Sequence, residues 1–164
     1  MPHKILLLTL LLFFLSACGG TPIDPDTPPE IVYGEDVCFR CGMIISDERF
    51  AAALVVEKAA NDYEQFVFDD AGEMFAYAAE DADRSRIVRW FVHDYNSREW
   101  IDATTAWFVI ADSLHTPMGF GVAACAEEAQ AQALAEEWQG RVVPFADAAA
   151  QLSDAGGEAD HGHQ

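Results

Sequence analysis

The sequence predicts an α+β fold built from two tandem ββαβ units that form one compact domain. Three observations predict it. Runs rich in β-branched and aromatic residues come in pairs, each pair leads into a helical pattern, and each helical pattern leads into a further short apolar run. The halves fall at about 31–95 and 96–152. A single six-stranded sheet carrying two helices is the competing layout.

In the first half, "ERFAAALVVE" at 48–57 has the content of a strand, and "EQFVFDD" at 64–70 is the second, with "AND" at 60–62 in the turn between them. "DDAGEMFAYAAED" then reads as a helix. Asp69 or Asp70 caps it, Glu73 supports its first turn, and Met74, Phe75, Tyr77 and Ala78 make its apolar side. "RIVRWFVHDY" at 86–95 is the third strand. In the second half, "EWIDATTAWFVIAD" at 99–112 holds a strand from about Thr105, and "GFGVAAC" at 119–125 holds a short one. "AEEAQAQALAEEWQG" at 126–140 is an Ala-rich helix with Gly140 as its stop. "RVVPF" at 141–145 closes the unit, and Pro144 marks an edge position.

The termini speak to location. "MPHK", an eleven-residue apolar run "ILLLTLLLFFL" and the small residues of "SAC" form a secretory signal over 1–17. The run is too short for a membrane helix, which needs about 20 residues. "LSAC" at 15–18 resembles a bacterial lipobox, so the mature chain is expected to begin at an acylated Cys18; plain secretion with a free Cys18 is the alternative. Two or three acyl chains suffice for stable anchoring. Gly19, where aspartate would signal retention, points to the outer membrane by resemblance to known sorting rules. Residues 18–30 read as a flexible Pro/Gly-rich tether, and 153–164 as a disordered polar tail. The remaining stretch, 31–152, is one domain.

With Lys4 removed along with the signal, eight of the nine basic residues remain against 28 acidic ones. Nucleic acid is excluded as a partner, because phosphates would be repelled. No Ser/His/Asp set, paired carboxylates or phosphate-binding glycine loop is evident, so an enzyme is not expected.

The chemistry lies in sulfur. Of four cysteines, Cys18 is taken by lipid, and Cys125, in an apolar setting at the entry to the second helix, reads as a small buried hydrophobe. Cys38 and Cys41 stand in "DVCFRCGMII", residues 36–45. A disulfide across two residues would stabilise little. Structural zinc wants a second ligand pair, and only His161 and His163 in the tail offer one. A thioredoxin-like exchange site would begin a helix, which "CGMIISDERF" does not, although "TP" at 116–117 imitates one element of such a site. If the segment is extended, Cys41 and Met43 share a side, and a thiolate beside a thioether selects Cu(I). Met43 as core filler beside two isoleucines stays open on this pattern alone. Met118, in "HTPMGFG" at 115–121, sits between Pro117 and Gly119 in a rigid loop, an odd place for filler. Met74, at helical spacing, reads as core. His115 and His93 are further candidate ligands.

"CFRCGMIISDERFAA", "FDDAGEMF", "WFVHDY", "WIDATTAWFVI", "TPMGFG" and "QGRVVPF" occur in that order, and together they resemble the NosL family of nitrous oxide reductase accessory lipoproteins. The resemblance covers most of 36–145 plus the lipobox. It implies tandem ββαβ units and a periplasm-facing Cu(I) chaperone. Such a chaperone delivers copper for nitrous oxide reductase through a membrane transporter complex of the same maturation system. Its metal ligands carry over to Cys41, Met43 and Met118, with Cys38 as a further candidate. Thiol–disulfide exchange through Cys38 and Cys41 is the alternative function.

Overall fold

Strands β1 (Ala52–Ala59) and β2 (Asp62–Phe68) form an antiparallel hairpin in which Ala59 pairs with Asp62. Its two turn residues are Ala60 and Asn61. Asn61 takes a left-handed φ of 59°, a conformation asparagine tolerates better than most residues. These elements belong to a computed structural model that describes residues 22–80 and 86–155. The signal segment, Cys18, His161 and His163 lie outside the described residues.

Helix α1 (Ala71–Glu80) follows β2 directly. The Asp70 carboxylate accepts the Gly72 N–H at 2.7 Å and caps it. Strand β3 (Ile87–His93) then returns alongside β1, so the hairpin's first strand lies in the middle. A short strand β4 (Trp100–Asp102) pairs with β3 and completes a sheet of order β2-β1-β3-β4.

The second half repeats the plan. A 3-10 turn over Ala103–Thr105, capped by Asp102, leads into β5 (Trp107–Ile110). Strand β6 (Val122–Cys125), helix α2 (Glu128–Trp138) and β7 (Arg141–Pro144) follow, and the second sheet has order β6-β5-β7. Hairpin, helix and a third strand beside the first is the same ββαβ plan twice, so the α+β class and its tandem layout hold. The strands form two sheets, joined by the parallel bridge Asp94–Ala124, and the single six-stranded sheet is ruled out. Pro144 stands on an edge strand, as its missing N–H requires.

Four details differ from the sequence reading. Residues 100–102, assigned above to the second half, join the first sheet, because Asp94 accepts the Ser97 N–H at 2.8 Å and folds the chain back on β3. Helix α2 is stopped by Gln139, which adopts the left-handed conformation at φ 55°. Gly140 serves close approach instead: a Cβ there would lie 2.7 Å from the Ile110 carbonyl oxygen. A further helix, α3 (Phe145–Ala155), follows β7 without a loop and runs past the 152 boundary, burying Ala148 and Leu152. Residues 22–30, read as tether, lie against the first sheet: Arg89 Nε donates to Asp26 at 2.7 Å, Gln65 donates to the Thr27 carbonyl at 2.9 Å, and Pro29 is buried.

The main core cluster spans both halves. Leu54, Phe68, Met74, Phe75 and Val92 pack in a single cluster with Phe108, Ile110, Val122, Val143 and Leu152. Phe75 meets Phe108 edge-on at 5.4 Å and Phe145 at 5.7 Å. Each buried phenylalanine contributes about 2–3 kcal/mol of apolar burial. Met74 is fully buried, as its helical spacing predicts.

Candidate metal centre

The Cys-x-x-Cys segment is a tight hairpin and not an extended strand. Val37 bridges Ile44, the Cys38 N–H donates to the Met43 carbonyl at 2.8 Å, and the Gly42 N–H returns to the Cys38 carbonyl at 2.9 Å. Gly42 turns the chain with φ 72°, which a Cβ would resist. Cys41 therefore sits in the turn, half-buried, and does not alternate with Met43 and Ile45 along one face. The Cys38 N–H to Met43 carbonyl bond sets the backbone of Met43 across the hairpin from Cys38. Cys38 is buried at 1% exposure and Met43 is open at 53%.

Three contacts hold this hairpin on the first half. The Phe39 N–H donates to the Val67 carbonyl at 2.8 Å, and the Phe39 ring packs on Phe66 at 4.2 Å and Tyr77 at 5.3 Å. Arg40, between the two cysteines, reaches α1: Nη1 donates to Glu73 at 2.8 Å and Nη2 to Glu80 at 2.8 Å. Glu73 is 2% exposed, so this guanidinium is what makes its buried carboxylate tolerable. Third, the Cys41 thiol points at Asp69 Oδ1, 3.7 Å away.

Cys38 Sγ, Cys41 Sγ and an Asp69 oxygen all lie within 4.8 Å of one another. Two metal–thiolate bonds of about 2.3 Å span up to roughly 4.6 Å, so one cation fits between these donors with little movement. Burial pushes the Cys38 thiol up to about 12, and Asp69 adds to the rise, although backbone hydrogen bonds from Cys41 and Asp69 act against it. A bound cation reverses this, because a coordinating thiol is deprotonated outright. Asp69 was legible only as a helix cap; that role falls to Asp70, which frees Asp69 to face the thiols.

The second loop meets the same place from the other half. Thr116 to Gly121 turns through Gly119 (φ 75°) and Gly121 (φ 62°), with Gly119 N–H on the Thr116 carbonyl at 3.1 Å. The Met118 N–H donates to Asp70 Oδ2 at 3.3 Å, and the Thr116 hydroxyl also bonds Asp70. Phe120 packs on Gly72 so closely that a Cβ there would lie 2.1 Å from the ring. Neighbouring carboxylates thus touch Cys41 and the backbone of Met118. Met118 is half-buried.

The remaining candidates lie apart. His115 is exposed in the same loop and belongs to no metal-sized cluster among the described residues. His93 is buried, its ring tilted against Trp100 at 3.8 Å, with Nδ1 on the Arg98 carbonyl at 2.7 Å and Nε2 at 2.8 Å from the Tyr33 hydroxyl. Both its nitrogens are engaged. Cys125 ends β6, fully buried, its thiol pushed up to about 12 by burial and by Asp94.

Fold and site define an α+β protein of two ββαβ units with a thiol–carboxylate cluster on the first and the Met118 loop of the second tied beside it. Residues 29–153 match the NosL family. The chain is 32% identical over 173 residues to the copper-binding lipoprotein NosL of Stutzerimonas stutzeri, covering 98% of this chain and 89% of that one. Its fold is similar to the crystal structure of the copper chaperone NosL from Shewanella denitrificans, with a TM-score of 0.64 at 21% identity, over 76% of this chain and 96% of that one. The chain belongs to the NosL family.

Proposed function

We propose that this protein is a lipid-anchored, periplasm-facing Cu(I) chaperone that supplies copper for maturation of nitrous oxide reductase, without catalytic turnover of its own. The observation that carries the reading is the convergence of Cys38, Cys41 and Asp69 in a member of a family whose relatives are named copper-binding. Met43 stands across the hairpin from Cys38, and the Met118 loop is tied beside Asp69. Thiolate and thioether donors together favour Cu(I) over harder ions.

Transfer proceeds by ligand exchange. Cys41 is half-buried and Met43 exposed, so an incoming sulfur or imidazole donor reaches the ion from solvent. Val37, Phe39 and Ile44 add exposed apolar surface around the hairpin, which suits contact with a protein recipient. That recipient is a copper-transporting membrane complex serving the reductase. An acylated Cys18 anchors the protein to a membrane, and Gly19 after it favours the outer one. Disulfide exchange is not favoured: the cysteines occupy a hairpin turn, and the buried Cys38 lacks the depressed pKa of an exchange thiol.

Protein purified under reducing conditions should carry copper and should compete with a Cu(I) chelator without oxygen. Oxidation to a Cys38–Cys41 disulfide should abolish binding. Zinc in place of copper, or undiminished Cu(I) binding by the oxidised protein, would overturn the reading. Mass spectrometry of membrane-derived protein should find an acylated Cys18 as the first residue.

A further inference from the structure

Residues 69–73, "DDAGE", form the end of β2's exit and the first turn of α1. Four of these five residues each hold a different part of the site. Asp69 faces the Cys41 thiol at 3.7 Å. Asp70 accepts the Met118 N–H at 3.3 Å and bonds the Thr116 hydroxyl. Gly72 takes the Phe120 ring on its bare Cα, and Glu73 takes Arg40 from between the cysteines at 2.8 Å. The two carboxylates that make the ties, Asp70 and Glu73, are both buried, at 0% and 2% exposure. Buried carboxylates are expensive to leave without partners, so these ties are firm.

Resting on the Cu(I) reading above, we propose that Asp70 is the positioning residue that seats Met118 against the Cys38/Cys41 hairpin, with α1's first turn as the common mount for both loops. The two oxygens of Asp70 divide the work. Oδ1 caps the helix through Gly72, while Oδ2 holds the Met118 loop. Other contacts hold the ends of the loop, Gly121 on Thr116 and Phe120 on Gly72, but it is Asp70 that holds the half-buried Met118 by its own backbone. Without the tie, Met118 is no longer held at the ion, so affinity falls and its thioether drops out of the bound set although the residue is still present. Met118 lies 48 residues along the chain from Asp70, so no local turn can substitute.

The division of oxygens makes the test selective. Asp70→Asn retains an oxygen for the Gly72 cap, since asparagine caps as well as aspartate. Its amide group, turned to the loop, cannot accept from the Met118 N–H. Cu(I) affinity is measured anaerobically against a competing chelator for the parent, Asp70→Asn, Met118→Leu and the double variant, with apo unfolding midpoints alongside. Both single variants are expected to lose about tenfold or more, and the double variant to lose no more than Met118→Leu alone. Copper X-ray absorption of Asp70→Asn should show one fewer sulfur scatterer than the parent. Losses that simply multiply in the double variant, or an unchanged sulfur count, overturn the positioning role while leaving the Cu(I) reading intact. Parent-like affinity in Met118→Leu removes Met118 as a ligand, and the proposal falls with it. Absence of Cu(I) binding in the parent sinks the functional reading itself, a distinct outcome. If Asp70→Asn does not fold, Thr116→Val replaces it in the same cycle, since it loosens the loop and leaves the cap untouched.

Discussion

The two ββαβ units share one topology and divide the chemistry unequally. In the first, β1 and β2 are joined by two residues, 60 and 61; in the second, β5 and β6 are joined by residues 111–121, and that long connection carries Met118. The helices differ in the same sense. Seven of the ten residues of α1 are buried, and its start touches both loops of the site. Helix α2 buries only Ala131, Leu134 and Ala135, and its N-terminus has no side-chain cap. One unit mounts the site and the other lends it a loop. Helix strength in isolation is no guide to which is which: the Ala-rich α2 has the better propensity, and α1 the better position.

The largest effect on stability is expected at the centre of the first unit. Phe75→Ala should lower unfolding free energy by about 3–5 kcal/mol in urea titrations, whereas Gln132→Ala on the exposed side of α2 should change it by less than about 0.5 kcal/mol. Equal effects would mean that the two helices share the core evenly. For the metal, Cys41→Ser should weaken Cu(I) binding by about a hundredfold, roughly 2.7 kcal/mol, with the apo fold retained. Cys125→Ser, in the second unit, should leave Cu(I) affinity unaltered while lowering stability by about 1–3 kcal/mol, through a buried hydroxyl. Copper loss in both variants would extend the site to Cys125, which is no member of the cluster at Cys38, Cys41 and Asp69.

A smaller effect should appear with pH. Burial holds the His93 pKa below its ordinary value, against the opposing pull of the Arg98 carbonyl and of Glu48 and Glu99. The folded state therefore favours the neutral ring. Its contribution is complete above the unfolded pKa of about 6.5 and declines as pH falls below that value toward the folded pKa. The parent's unfolding temperature should drop between pH 7 and pH 5 more than that of His93→Gln; identical slopes would remove His93 as the cause. The smallest effect has the opposite sign. Gln139→Gly, relieving a left-handed residue at the end of α2, should stabilise by about 1 kcal/mol without touching copper.

Much of this could be read in the sequence, and what could not has physical causes. Strand and helix identities followed from composition and period, and Met74 from its helical spacing. For 36–45 the sequence left the extended form as a condition, and it is not met: the left-handed φ of Gly42 turns the segment into a hairpin. Helix α3 was invisible because it starts directly after a proline-containing strand, with no turn between. The docking of 22–30 rests on single contacts, Asp26 with Arg89 and Thr27 with Gln65, that no periodicity announces. Asp69 escaped notice for a similar reason. An aspartate pair before a helix reads as a cap, and only tertiary structure shows which of the two turns toward sulfur.

The ring of Phe120 lying on Gly72 has a consequence for how the chain can be divided. Glycine in the first turn of a helix costs about 1 kcal/mol relative to alanine, and here its φ is ordinary, so the residue serves the aromatic ring from the other unit and not its own backbone. The two units are therefore not interchangeable beads. A chain severed between Asp102 and Trp107 would yield two pieces, each with a vacancy shaped like part of the other. Neither would be expected to hold its structure alone, and mixing them should restore one folded body.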